Sequence, residues 1–104
     1  MTLLARLADG PVIVAGDFNA VPERVGMPED LLDAWTTGAG PGYTCGQAPD
    51  LANADSLLSE RIDYVWVRGA RVTGCTLIGA DPADRTCGGL WPSDHAGVLA
   101  TLRW

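Results

Sequence analysis

The sequence contains no lysine: its seven basic residues are all arginines, at Arg6, Arg24, Arg61, Arg68, Arg71, Arg85 and Arg103. That absence excludes Schiff-base catalysis and the phosphate-binding lysine of a P-loop. The arginines are scattered, no basic stripe forms, and the formal net charge is −6. A nucleic-acid-binding surface draws its affinity from concentrated positive charge, so this balance disfavours a nucleic-acid partner, although a bound divalent cation could supply positive charge locally. Cysteine is scarce too, with Cys45, Cys75 and Cys87 showing no Cys-x-x-Cys spacing. Neither a zinc site nor a complete disulfide framework follows, which leaves free thiols or a single Cys75–Cys87 bridge. No segment approaches the roughly 20 apolar residues of a membrane span, and the first seven residues are too short for a secretory signal. What is present suits a folded domain, with 47% hydrophobic and 19% charged residues in a chain of 104. That length fits one domain or a piece of one.

Apolar periodicity divides the chain into short elements. Leu3, Leu4 and Leu7 share a helical face, and Asp9-Gly10-Pro11 stops that helix. Residues 12–15 are continuously apolar, as expected of a strand buried on both faces. Residues 28–35 open with proline and acids and continue apolar, which predicts a short helix. Residues 36–58 read as loop, and the glycine-rich residues 38–42 as a flexible turn, since no strand precedes them and no lysine follows. Residues 61–68 and 72–78 read as strands joined by a turn at 68–71, residues 80–92 as a loop, and residues 96–104 as a last strand.

Three places carry polar groups where apolar ones would be expected. Gly16-Asp17-Phe18-Asn19 follows the first strand, with Asp17 and Asn19 spaced to share a side while Phe18 anchors the opposite one. A carboxylate beside an amide suits phosphoryl chemistry, orienting a water or metal and donating to a phosphate oxygen. The same tetrapeptide also suits a turn in which the side chains bond their own backbone. Asp63 lies in the apolar strand Arg61-Ile62-Asp63-Tyr64, where an unpaired carboxylate would be costly, and Arg61 is a candidate partner. Ser93-Asp94-His95 holds the one histidine, and three adjacent residues cannot fold together as a serine triad.

In this order and at these separations, Gly16-Asp17-Phe18-Asn19, Arg61-Ile62-Asp63-Tyr64 and Ser93-Asp94-His95 resemble the last three motifs of the endonuclease/exonuclease/phosphatase superfamily. The resemblance implies an α/β fold, the C-terminal half of a four-layer α/β sandwich, with one mixed β-sheet and flanking helices across residues 1–104. It implies a hydrolase of phosphodiesters or phosphomonoesters that uses Mg2+ or Mn2+. Asp17 would orient or deprotonate the attacking water and Asn19 would hold the phosphate. Asp94 would contact the metal, and His95 would sit on the scissile phosphate with Asp63 bonded to its other ring nitrogen. Tyr43-Thr44 resembles a family loop near the substrate rim.

The family's metal-binding glutamate and first-strand asparagine precede these motifs, yet only 15 residues precede Gly16. The expectation is therefore an incomplete domain, inactive without an N-terminal half, with an uncovered sheet open to that half or to self-association. The charge balance inclines the substrate towards a small or lipid phosphoester. The alternative is a non-catalytic remnant that binds metal, phosphate or protein.

Overall fold

In the computed structural model, which describes residues 10–104, five strands carry the fold. Strands β1 (Val12–Asp17), β2 (Leu32–Asp33) and β3 (Asp63–Arg68) form one sheet in the order β1-β3-β2, while β4 (Arg71–Ile78) and β5 (Gly97–Arg103) form another. Every pairing is antiparallel. The expected single mixed sheet with flanking helices is thus corrected to two antiparallel sheets, and among the described residues the helical elements are two 3-10 helices, Ala34–Thr37 and Pro82–Asp84. The helix expected around Leu3, Leu4 and Leu7 lies outside the described residues.

β3 forms as an apolar run with Tyr64, Trp66 and Val67 buried, and both of its edges are paired. Tyr64 and Trp66 stack with ring centroids 5.1 Å apart, and Phe18 meets Tyr64 edge-on at 5.6 Å. Leu31 is buried in the same cluster, with Val12, Val14, Val25 and Met27 packed around it. Phe18 therefore anchors, as its place in the first motif suggests. Among the described residues the opposite face of β1 is uncovered: Ala15 is exposed and Ile13 is 46% exposed. The strand expected to be buried on both faces is covered on one.

Residues 28–35 do not make the expected helix. Leu32 and Asp33 pair instead with Val67 and Trp66 along the free edge of β3. Asp33 then caps the 3-10 helix by accepting the Trp35 N–H. Nor do residues 38–42 form a loose turn. Trp35 donates its indole N–H to Gly40 O at 3.0 Å, and its ring occupies the space where a Cβ at Gly38 or Gly42 would lie. Gly42 has φ +69, so both space and backbone conformation call for glycine there.

The second sheet alternates like a half-covered antiparallel pair. Val72, Cys75, Leu77, Val98, Ala100 and Leu102 are half-buried, while Ile78 and Leu99 are 54% and 51% exposed. The three cysteines are free, with Cys45 and Cys75 half-buried and Cys87 exposed.

The Tyr64 hydroxyl lies 2.7 Å from Ala20 O and 2.9 Å from Arg61 O, so its single proton is shared between the chain after β1 and the chain before β3. Tyr64→Phe is expected to lower stability by about 1–2 kcal/mol. Urea unfolding should show an earlier midpoint at unchanged slope.

Candidate active site

The register of β1 on β3 sets Asp17 opposite Asp63 at one end of the first sheet. His95 joins them from 32 residues further along the chain, its Nδ1 lying 2.8 Å from Asp63 Oδ2. One ligand atom from each of Asp17, Asp63 and His95 falls within 4.8 Å of the others. Two of the three motifs thus meet the third across sequence distances that no local structure could bridge.

The turn reading of the first motif and its clustering hold together. Asp17 Oδ1 accepts the Asn19 N–H at 2.7 Å, and Asn19 adopts φ 49, a left-handed conformation that asparagine tolerates. That bend ends the strand at Asp17, so Asn19 is not on the strand face as alternation predicts; it sits exposed on the turn beyond it. Phe18 N–H, donating to Ile62 O at 2.9 Å, ties the turn to the chain leading into β3.

Arg61 is not the partner of Asp63. Its guanidinium pairs with Asp33 at 2.7 Å and lies 5.0 Å over the Tyr64 ring, which leaves Asp63 to His95. Asp94 is exposed, and its carboxylate receives the Ser93 hydroxyl at 3.4 Å. It stands beside His95 in the chain but outside the group of three. Its carbonyl accepts the Gly46 and Gln47 N–H groups.

Thr44 has a place that the sequence did not reveal. It is fully buried, not at a rim, while Tyr43 beside it is 42% exposed. The Thr44 hydroxyl accepts the N–H groups of Ile62 at 3.1 Å and of Asp63 at 3.2 Å. The one sequence signal was a hydroxyl residue between an aromatic and a cysteine in a segment otherwise read as loop.

The hydrogen bond to Asp63 raises the pKa of His95 above its ordinary 6.5, outweighing the opposing effect of burial, and the Asp63, Asp94 and Asp17 charges act in the same direction. Burial, reinforced by Asp94, Asp63, Glu60 and Asp17, pushes the Cys45 thiol up, which disfavours its thiolate. Acidic oxygens thus surround one imidazole. Such a donor set suits a hard divalent cation, which needs only one or two carboxylates and keeps water in its remaining positions. The exposed carboxylates of Asp17 and Asp94 are open to such an ion, whereas Asp63 is already engaged with His95.

Because the folded ring keeps its proton to higher pH than the unfolded ring, the Asp63–His95 contribution to stability is complete below about pH 6.5. It is lost as pH rises through the folded value. Urea midpoints followed from pH 6 upward, to about pH 8, below the range where thiols titrate, are expected to fall in the wild type across that window. In Asp63→Asn the fall should be largely absent; an equal fall in both proteins would place its origin elsewhere.

No curated protein matches the chain. The family model described as "Endonuclease/Exonuclease/phosphatase family" matches residues 2–95, a span that includes all three motifs. Members of that family are generally metal-dependent phosphoesterases and nucleases. The chain belongs to the endonuclease/exonuclease/phosphatase family.

Proposed function

We propose that this chain is a divalent-metal-assisted phosphoesterase domain, with Asp17, Asn19, Asp63, Asp94 and His95 as its working residues. The observation that carries the reading is the Asp63–His95 hydrogen bond at 2.8 Å, with the Asp17 carboxylate in the same cluster. Asp63 accepts from Nδ1 of His95, which leaves Nε2 to face a phosphoryl oxygen. Once protonated, the ring donates from both nitrogens and stabilises charge on the phosphate. Asp17, held by the Asn19 N–H, orients the attacking water and takes its proton, while the Asn19 carboxamide binds a phosphate oxygen. Asp94 is the residue that would hold Mg2+ or Mn2+, which when bound supplies positive charge at the phosphate.

The electrostatics support a requirement for a cation. Asp17, Asp63 and Asp94 all bear on His95, and a phosphoester approaching those carboxylates meets like charge. An open hollow of about 420 Å³ beside His95, bordered by Ile78, Pro92 and Gly97, offers room for the ester's organic group. Its apolar wall and the chain's acidity favour a small or lipid phosphoester over duplex DNA. The bare faces of β1 and of the second sheet favour completion of a four-layer sandwich by a family N-terminal half, or self-association.

Hydrolysis of bis-para-nitrophenyl phosphate in Mg2+ or Mn2+ tests the reading, with the chain alone and mixed with a family N-terminal half. Turnover in the mixture is expected, with a loss of roughly 10²–10⁴-fold in His95→Ala and nearly as much in Asp63→Asn. Turnover unchanged from the wild type in both variants would sink the dyad. Silence in both preparations would favour a binding role without catalysis.

A further inference from the structure

Asp63 and His95 reach each other from separate segments, and residues 44–47 are inserted between those segments. On one side, Thr44 N–H and Cys45 N–H donate to Glu60 O at 2.8 and 3.0 Å, and Cys45 O accepts the Ser59 and Glu60 N–H groups. On the other, Ala96 N–H donates to Thr44 O at 2.7 Å, and Asp94 O accepts from Gly46 and Gln47. Cys45 accordingly bridges both Glu60 and His95. Within this joint the Gln47 side chain reaches residues 53–57, whereas the Thr44 hydroxyl oxygen receives the N–H groups of Ile62 and Asp63.

We infer that Thr44 is the positioning residue of the dyad: its hydroxyl fixes the backbone from which Asp63 projects, while its carbonyl fixes the residue after His95. The two side chains meet because one fully buried residue holds both backbones. Ile62 lies before the β1 pairing, which begins at Asp63 opposite Asp17, so the Thr44 hydroxyl meets both N–H groups where the ladder starts. A hydroxyl there satisfies two donors that an apolar side chain of the same shape would leave without an acceptor. The backbone would then have to move to find other partners, and Asp63 would move with it. The inference rests on the dyad reading for its catalytic meaning but on hydrogen-bond geometry alone for its substance.

The test uses the 15N-labelled full chain, in which His95 is the one histidine and gives a single ring signal set. At a pH where the imidazole is neutral, the wild-type proton is expected on Nδ1, facing Asp63. Thr44→Val keeps the side-chain shape and the backbone of residue 44 but removes the acceptor. It should shift the ring towards the Nε2–H tautomer of a free imidazole, as Asp63→Ala does, while Thr44→Ser keeps the wild-type signature. A folded Thr44→Val with an unchanged tautomer overturns the inference. If Thr44→Val does not fold, Thr44→Ser decides, because loss of the signature with the hydroxyl present would overturn it equally. Turnover is expected to follow the tautomer, with kcat lower by about 10²-fold in Thr44→Val, KM unchanged, and recovery in Thr44→Ser. The ring signature is read without turnover, so a displaced tautomer in a chain that hydrolyses nothing would count against the esterase reading alone.

Discussion

β3 is paired by β1 along its length and by β2 at Val67 and Trp66, and the charges at its head have to find partners inside the fold. Its backbone is met by β1 on one side and β2 on the other, and its aromatic face is closed by Phe18, Leu31 and the residues between them. Burying an unpaired charge at the head of such a strand would cost several kcal/mol. Two charges gather there, and each has its own answer. Arg61 finds Asp33, at the end of the short edge strand, and Asp63 finds His95.

The Asp63–His95 pair is therefore a structural solution first, and on the proposed reading a chemical device as well. A half-buried carboxylate orders one imidazole nitrogen, and the order leaves the other nitrogen available. Asp17 reaches the same place through the pairing register, and its carboxylate is steadied by a backbone N–H two residues on. The cluster is assembled at strand ends, where side chains leave the ladder and can converge.

The strands were legible because they alternate or run apolar with turn residues between them; four of the five elements at or near residues 12–17, 61–68, 72–78 and 96–104 follow from that pattern alone. The motifs gave Asp17, Asn19, Asp63, Asp94 and His95 as candidates, and the structure brings Asp17, Asp63 and His95 together. Other features were hidden for physical reasons. Proline, acids and leucines at 28–35 carry helical preference, but an eight-residue helix is weak by itself, and pairing with the open edge of β3 outweighs it. Arg61 stands two residues from Asp63, yet Asp33 lies closer once the chain has folded. Thr44 leaves no pattern because what it offers is an oxygen to backbone groups 18 and 19 residues away, and a sequence window does not see such a bond.

The register that sets Asp17 directly across from Asp63 has an evolutionary side. Like charges facing each other on paired strands oppose folding, and neutralising one of them is the sort of change that selection for stability alone would readily accept. Neutralising Asp17 would relieve that opposition, whereas Asp63 is already held by His95, so the discomfort of the facing pair falls on the exposed acid at the end of β1.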